Sequence, residues 1–260
     1  MKKCLLSCLI IGAWLLSLSN LSAQGNGGVG IDEQFGATVP MDAKFETSDG
    51  DTVTLKQVID RPVLLALVYY ECPGLCHPML TDLSWAIDKI QLEPGADFKV
   101  VSLSFDPREN PSISSRWKKE YLKAIKRKFS PDDWVFLTGD SANIKRFTKA
   151  VGFSYIPSKD SQFVHPATVI AISPEGKISR YLFGVDFNPF DLKMALIEAK
   201  AGKSNPTITK VLQLCYSYNP EGRGYEVNVT RVVGGLMLFA VGIFAVVVMF
   251  KKKKKLNHST

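Results

Sequence analysis

The sequence predicts an α/β fold: an open sheet with helices on both of its faces. Three observations support this. Apolar runs and helical stripes follow one another in the order β, α, β, α, β, α, β, β, α. Val63 to Tyr70 (VLLALVYY) is continuously apolar, as a central strand covered on both faces must be. Three helix starts are marked by a capping residue, at Asn110-Pro111, Asp140 and Asn188-Pro189.

Taken in order, Gln24 to Gly30 (QGNGGVG) reads as a flexible leader, and the domain is expected to run from Asp42 to Gly202. Lys44 to Leu55 alternates about Asp49-Gly50, a hairpin signal. The central strand Val63–Tyr70 leads into ECPGLCHPM, residues Glu71 to Met79. Met79, Leu80, Leu83, Ala86, Ile87 and Ile90 then repeat at helical spacing, and Pro78 suits a first helical turn. Phe98 to Phe105 is the next strand and ends in Asp106-Pro107-Arg108-Glu109-Asn110-Pro111. The helix that follows places Ile113, Trp117, Tyr121, Ile125 and Phe129 on one face and most of its lysines on the other, which reads as a solvated face. Trp134 to Leu137 is a short strand. Asp140 caps a helix bearing Ile144, Phe147 and Val151, which Gly152 stops. A loop from Phe153 to Val164 delivers His165. Ala167–Ile172 and Ile178–Phe183 form a hairpin, and a last helix ends before Gly202. No internal repeat occurs. In a sheet of this kind the reactive site lies beyond the carboxyl ends of the strands, which is where Cys72 and Cys76 fall.

The two ends are read as targeting segments. Residues 1–23 carry Lys2 and Lys3, an apolar stretch, and small and polar residues up to Ala23, the pattern of a cleaved secretory signal. Val232 to Phe250 holds 19 residues without a charge, about 28 Å as a helix and near the thickness of a bilayer core. Lys251 to Lys255 then predict a cytoplasmic C-terminus for residues 251–260, with everything before Val232 on the other side of a bacterial inner membrane, in the periplasm. Residues 203–231 are a membrane-proximal tail. The formal charge of +7 reflects this layout: Lys2, Lys3, Arg231 and the five terminal lysines account for eight positive charges, and the rest of the chain carries −1. Nucleic acid is not an implied partner.

Export reframes the cysteines. Cys4 and Cys8 leave with the signal, and Cys72, Cys76 and Cys215 remain, an odd number. Pro73 and Pro78 oppose a helix through both members of the CxxxC pair, so Cys72 is placed in a loop and Cys76 at the start of the next helix. Unpaired N–H groups there favour a thiolate. Two thiolates and one imidazole suit Cu(I), or Zn(II) if a fourth group joins. His77 and His165 are the histidines available, and spacing alone leaves His165 equally a ligand or an ordinary loop residue. The pair alone also fits a redox dithiol, with Cys72 attacking and Cys76 resolving, or a static disulfide, although so short a ring is a poor staple. Cys215 reads as a buried small residue, a thiol pairing with Cys72 or Cys76, or an interchain link.

The segments YYECPGLC, VVSLSFDPREN, WVFLTGD, FVHPATVIAISPEGKISRYLFG and LCYSYNP, collinear from about Asp42 to Asn219, resemble the SCO/SenC family of copper chaperones for cytochrome oxidase. The C-terminal span and the CYxYxP-like stretch resemble a bacterial, C-terminally anchored branch of it. The resemblance implies a thioredoxin-like fold and a metallochaperone more than an enzyme. It implies copper, as Cu(I) and also Cu(II), on Cys72, Cys76 and His165, and places Asp106 in a DP motif outside the ligand set. Its implied partners are the copper-site subunit of cytochrome c oxidase and an upstream copper donor or thiol reductant. The implied task is copper delivery or thiol maintenance, with thiol–disulfide oxidoreductase activity of the Cys72/Cys76 pair as the alternative. One departure stands out. His77 separates Cys76 from Pro78, where many members have proline directly after the second cysteine, and it adds a further candidate ligand.

Overall fold

The computed structural model describes residues 28–158 and 162–204, the backbone of two strands at 216–219 and 224–227, and residue 237. The predicted signal, Cys215 and, Met237 apart, the predicted span Val232–Phe250 lie outside the described residues. No helix among the described residues is long and apolar enough to cross a membrane.

Strand β1 (Gly30–Ile31) opens the described chain, followed by the hairpin of β2 (Lys44–Thr47) and β3 (Thr52–Thr54) and the one-turn helix α1 (Leu55–Val58). Strand β4 (Val63–Val68) then leads to α2 (Cys76–Lys89), β5 (Lys99–Ser104) to α3 (Pro111–Ala124), and β6 (Trp134–Thr138) to α4 (Ser141–Ala150). Three two-residue strands follow: β7 (Phe153–Ser154), β8 (Ile156–Pro157) and β9 (Phe163–Val164). The hairpin of β10 (Thr168–Ile172) and β11 (Ile178–Phe183) and the helix α5 (Pro189–Lys200) complete the domain. Beyond it, β12 (Tyr216–Asn219) and β13 (Gly224–Val227) pair only with each other.

Seven strands form one sheet in the order β11-β10-β4-β5-β6-β2-β3. Its centre, β4-β5-β6, is parallel, as βαβ crossovers require, and antiparallel hairpins close both edges. This is the thioredoxin-like α/β arrangement. Register alternation assigns the faces. Leu64 pairs with Val100, and Val100 with Trp134, so these side chains share one face. Tyr121 of α3 stacks on Trp134 and Phe136 there, and α2 and α5 pack beside it. Leu137 is of opposite parity. Its neighbour across β2 is Thr47, which puts Phe45 on the other face, where Phe147 of α4 meets it edge-on. Every side chain of β4 is buried, which explains the unbroken apolar run.

Several expectations shift by a few residues. The central strand ends at Val68, and Tyr69 and Tyr70 lie beyond it, both still buried. Helix α3 stops at Ala124, with Ile125 as its C-cap; Ile125 and Phe129 still pack on the core, but from the chain beyond the helix. The stretch from Phe153 to Val164 is not a plain loop, since β7 pairs with β1 and β8 with β9. Through β1 and the buried Val39, the packed domain starts ahead of the predicted boundary at Asp42.

Candidate metal centre

The site forms where three pieces of chain meet at the carboxyl end of β4. Leaving the strand, Tyr70 directs its ring into the core, and its hydroxyl donates to the carbonyls of Ser102 (2.9 Å) and Leu137 (3.0 Å). The chain then rises into the loop Glu71–Leu75, which carries Cys72 half-exposed. Cys76 follows as the first residue of α2 and is buried. Pro78 lies in the first turn of α2, where its missing N–H costs no helical bond.

His165 comes from the segment between β9 and β10 and is buried. Its Nε2 lies 3.6 Å from the Cys76 sulfur, and one ligand atom from each of Cys72, Cys76 and His165 all lie within 4.8 Å of one another. Nδ1 is 3.0 Å from the Pro166 carbonyl. A carbonyl only accepts, so Nδ1 keeps the proton and Nε2 faces the sulfurs. The proline after the histidine thus supplies the bond that orients the ring, as an outer partner does for a ligating imidazole. Tyr69, Phe105 and Phe153 surround that ring at centroid distances of 5.6, 5.1 and 6.4 Å. Phe163 packs against Tyr69 and Phe105, and the Arg108 guanidinium lies over it. The wall behind the site is therefore aromatic.

The two thiols differ. Cys76, hydrogen-bonded to Cys72, holds the Cys72 thiol well below its ordinary range, against the opposing cost of burial. Cys76 is pushed up, by Cys72 first and by burial next. Of the two thiols, Cys72 is the more readily ionised. The helix start favours a thiolate at Cys76, but burial and the facing Cys72 oppose it, and the order of the two thiols matches Cys72 as the attacking and Cys76 as the resolving one.

His77 is not brought into this set. It points outward along α2, with Nδ1 3.0 Å from the Tyr121 hydroxyl and its ring against Trp117. Asp106 is held in a two-pronged ion pair by Arg108 and stands apart from the ligand set. Sequence reasoning missed Glu109. It is buried, and its carboxylate accepts bonds from Tyr70 N–H (2.8 Å), Glu71 N–H (2.7 Å) and the Ser104 hydroxyl (2.5 Å). No local pattern marks it, because its backbone partners lie 38 and 39 residues upstream.

Three ligand atoms converging in this way match the donor set of a soft, low-coordinate metal. The SCO1/SenC family model matches residues 32–196. The SCO1 protein homolog of Bacillus subtilis (strain 168) is 26% identical over 152 residues, 56% of this chain and 75% of that protein. A crystal structure from Aquifex aeolicus VF5 is 28% identical, with a TM-score of 0.59 over 64% of this chain and 95% of that one. Arabidopsis thaliana ScoI, solved with copper bound, superposes with a TM-score of 0.51 at 24% identity over 60% of this chain and 94% of that one, a likeness of fold.

Proposed function

Because the chain belongs to the SCO1/SenC family, we propose that it is a copper-binding factor in cytochrome c oxidase assembly. Cys72, Cys76 and His165 hold the copper. The observation that carries this is the convergence of two sulfurs and an oriented imidazole within 4.8 Å. Thiolates favour Cu(I), and the imidazole nitrogen also accommodates Cu(II). Copper is cargo here: the half-exposed Cys72 gives a recipient's ligand a route to it, while the buried Cys76 and His165 hold it from behind. In this reading the domain is exported, the C-terminal apolar run anchors it with Lys251–Lys255 in the cytoplasm, and the recipient is the copper-site subunit of the oxidase.

The test is titration of the mature, reduced protein with Cu(I) against a competing chelator, in a Cys215→Ser background that silences the remaining thiol. One equivalent should bind, and His165→Ala should weaken binding at least about tenfold, the scale of losing one hydrogen-bonded or coordinating partner. Wild-type affinity in His165→Ala would refute the three-ligand site.

The unequal thiols also favour a second reading. A Cys72 thiolate can attack a substrate disulfide to give a mixed disulfide, expelling one substrate thiolate. Cys76, after losing its proton, then displaces the second, leaving Cys72–Cys76 oxidised and the substrate reduced by two electrons. Substrate reduction that continues in a copper chelator would favour this reading over copper delivery.

A further inference from the structure

We propose that Glu109 is the positioning residue of the cysteine loop: its buried carboxylate holds the backbone at Tyr70 and Glu71, and so sets where Cys72 stands relative to Cys76 and His165. The purpose of the loop rests on the copper reading above; the bonds do not.

The placement of this side chain is not explained by the helix it precedes. Asn110 caps α3 with its own side chain, accepting from Ile113 N–H at 3.2 Å. Asp106 already takes the guanidinium of Arg108. Glu109 instead turns back under the end of β4. A carboxylate buried there carries a large desolvation cost and persists only where donors meet its oxygens. Both oxygens are met: Oε1 by Glu71 N–H, and Oε2 by Tyr70 N–H and by the hydroxyl of Ser104, the last residue of β5. The carboxylate therefore ties the exit of β4 to the exit of β5 just before the first ligand.

Between that tie and the helix the backbone has no regular structure, the Tyr70 hydroxyl and the Glu71–Arg116 ion pair being its other anchors. Residues 71–75 form no strand or helix. The backbone of Cys72 is bonded locally, its N–H to the Tyr69 carbonyl (3.2 Å), and the Gly74 N–H reaches its sulfur (3.4 Å). Cys76 is fixed by α2 and His165 by its aromatic surround, so Cys72 is the sulfur whose position the loop decides. The backbone clamp at 70–71 and the Tyr70 hydroxyl in the core leave it a short tether.

The experiment uses the full-length protein and the variants Glu109→Gln and Ser104→Ala. The first keeps the shape and one acceptor but sets an amide NH₂ against a donor. The second removes one donor and leaves the carboxylate. In the metal-free protein, amide hydrogen exchange is read at Tyr70 and Glu71 and at strand residues Leu65 and Val101. The Cys72–Cys76 dithiol is equilibrated with glutathione, two thiols giving two electrons and two protons to glutathione disulfide, which becomes two glutathione thiols. Copper affinity is read separately by chelator competition. In Glu109→Gln, exchange at Tyr70 and Glu71 should rise about tenfold, with the strand amides unchanged. The equilibrium constant for the protein disulfide should fall by a similar factor, and copper affinity with it. Faster loop exchange with an unchanged disulfide equilibrium would make Glu109 merely structural and overturn the proposal, as would equal acceleration of the strand amides. A shifted equilibrium in a protein whose wild type binds no copper would uphold the positioning role and sink the copper reading. If Glu109→Gln does not fold, Ser104→Ala decides by the same readouts, with an expected shift of about threefold.

Discussion

At the scale of single residues, the site is a set of unequal partners. Cys72 and Cys76 are the same residue type four positions apart, yet one is half-exposed and one is buried, and the half-exposed one is the more readily ionised. A lowered thiol keeps its thiolate as pH falls, so the reactivity of Cys72 should persist below the ordinary thiol range near pH 8.5. Cys76, raised, should gain reactivity only above that range. Alkylation of the reduced, metal-free protein with iodoacetamide at pH 6, followed by peptide mass spectrometry, should label Cys72 at least about tenfold faster than Cys76; the opposite order would show that the proton sits on Cys72. How much of this was legible differs residue by residue. The CxxxC pair and its loop placement follow from proline chemistry alone. His165 needed the fold, because only the sheet returns it to Cys76 across 89 positions. Which sulfur is the thiolate depends on burial, which a one-dimensional pattern does not carry. Glu109 was invisible because two of its three partners are backbone amides far along the chain, and these have no sequence signature.

At the scale of elements, periodicity located nearly every strand and helix of the domain, since burial on one face or two writes itself into apolar spacing. The misses were at ends and in the two-residue strands. Strands β7, β8 and β9 are too short to show alternation, and β1 hides in a glycine-rich leader. Yet β1 matters to the site, because its partner β7 carries Phe153, part of the wall behind His165. The turn at Gly152 makes that pairing possible. It stops α4 with φ at 63°, and its carbonyl accepts Asp32 N–H at 2.9 Å. A Cβ at this position would lie 1.8 Å from the Asp32 carbonyl oxygen. Gly152→Ala must therefore both strain its backbone and push β1 away, and should cost roughly 2 kcal/mol or more. Urea unfolding should show the midpoint falling at constant m, with greater exposure of Phe153. An unchanged midpoint would mean that β1 contributes nothing to holding the domain.

At the scale of the whole molecule, a candidate metal site at the carboxyl end of an interior strand links binding to stability. The fold brings Cys72, Cys76 and His165 within 4.8 Å, so copper held there, as proposed above, should stabilise the folded chain against unfolding. At free Cu(I) one hundred times the dissociation constant the gain is about 2.7 kcal/mol. For a domain of this size that is a rise in Tm of roughly 5–10 °C. Oxidation to the Cys72–Cys76 disulfide removes both thiolates, and the remaining imidazole is one ligand, too few to hold the ion. The expected outcome is therefore a pattern over four samples: reduced and oxidised protein, each with and without copper. Copper should raise Tm only in the reduced protein, and adding a chelator should reverse the rise. An equal rise in the oxidised protein would place the binding elsewhere, outside the site at the end of β4. No rise in either would remove the link between this fold and the metal, leaving the unequal thiols to serve disulfide exchange alone.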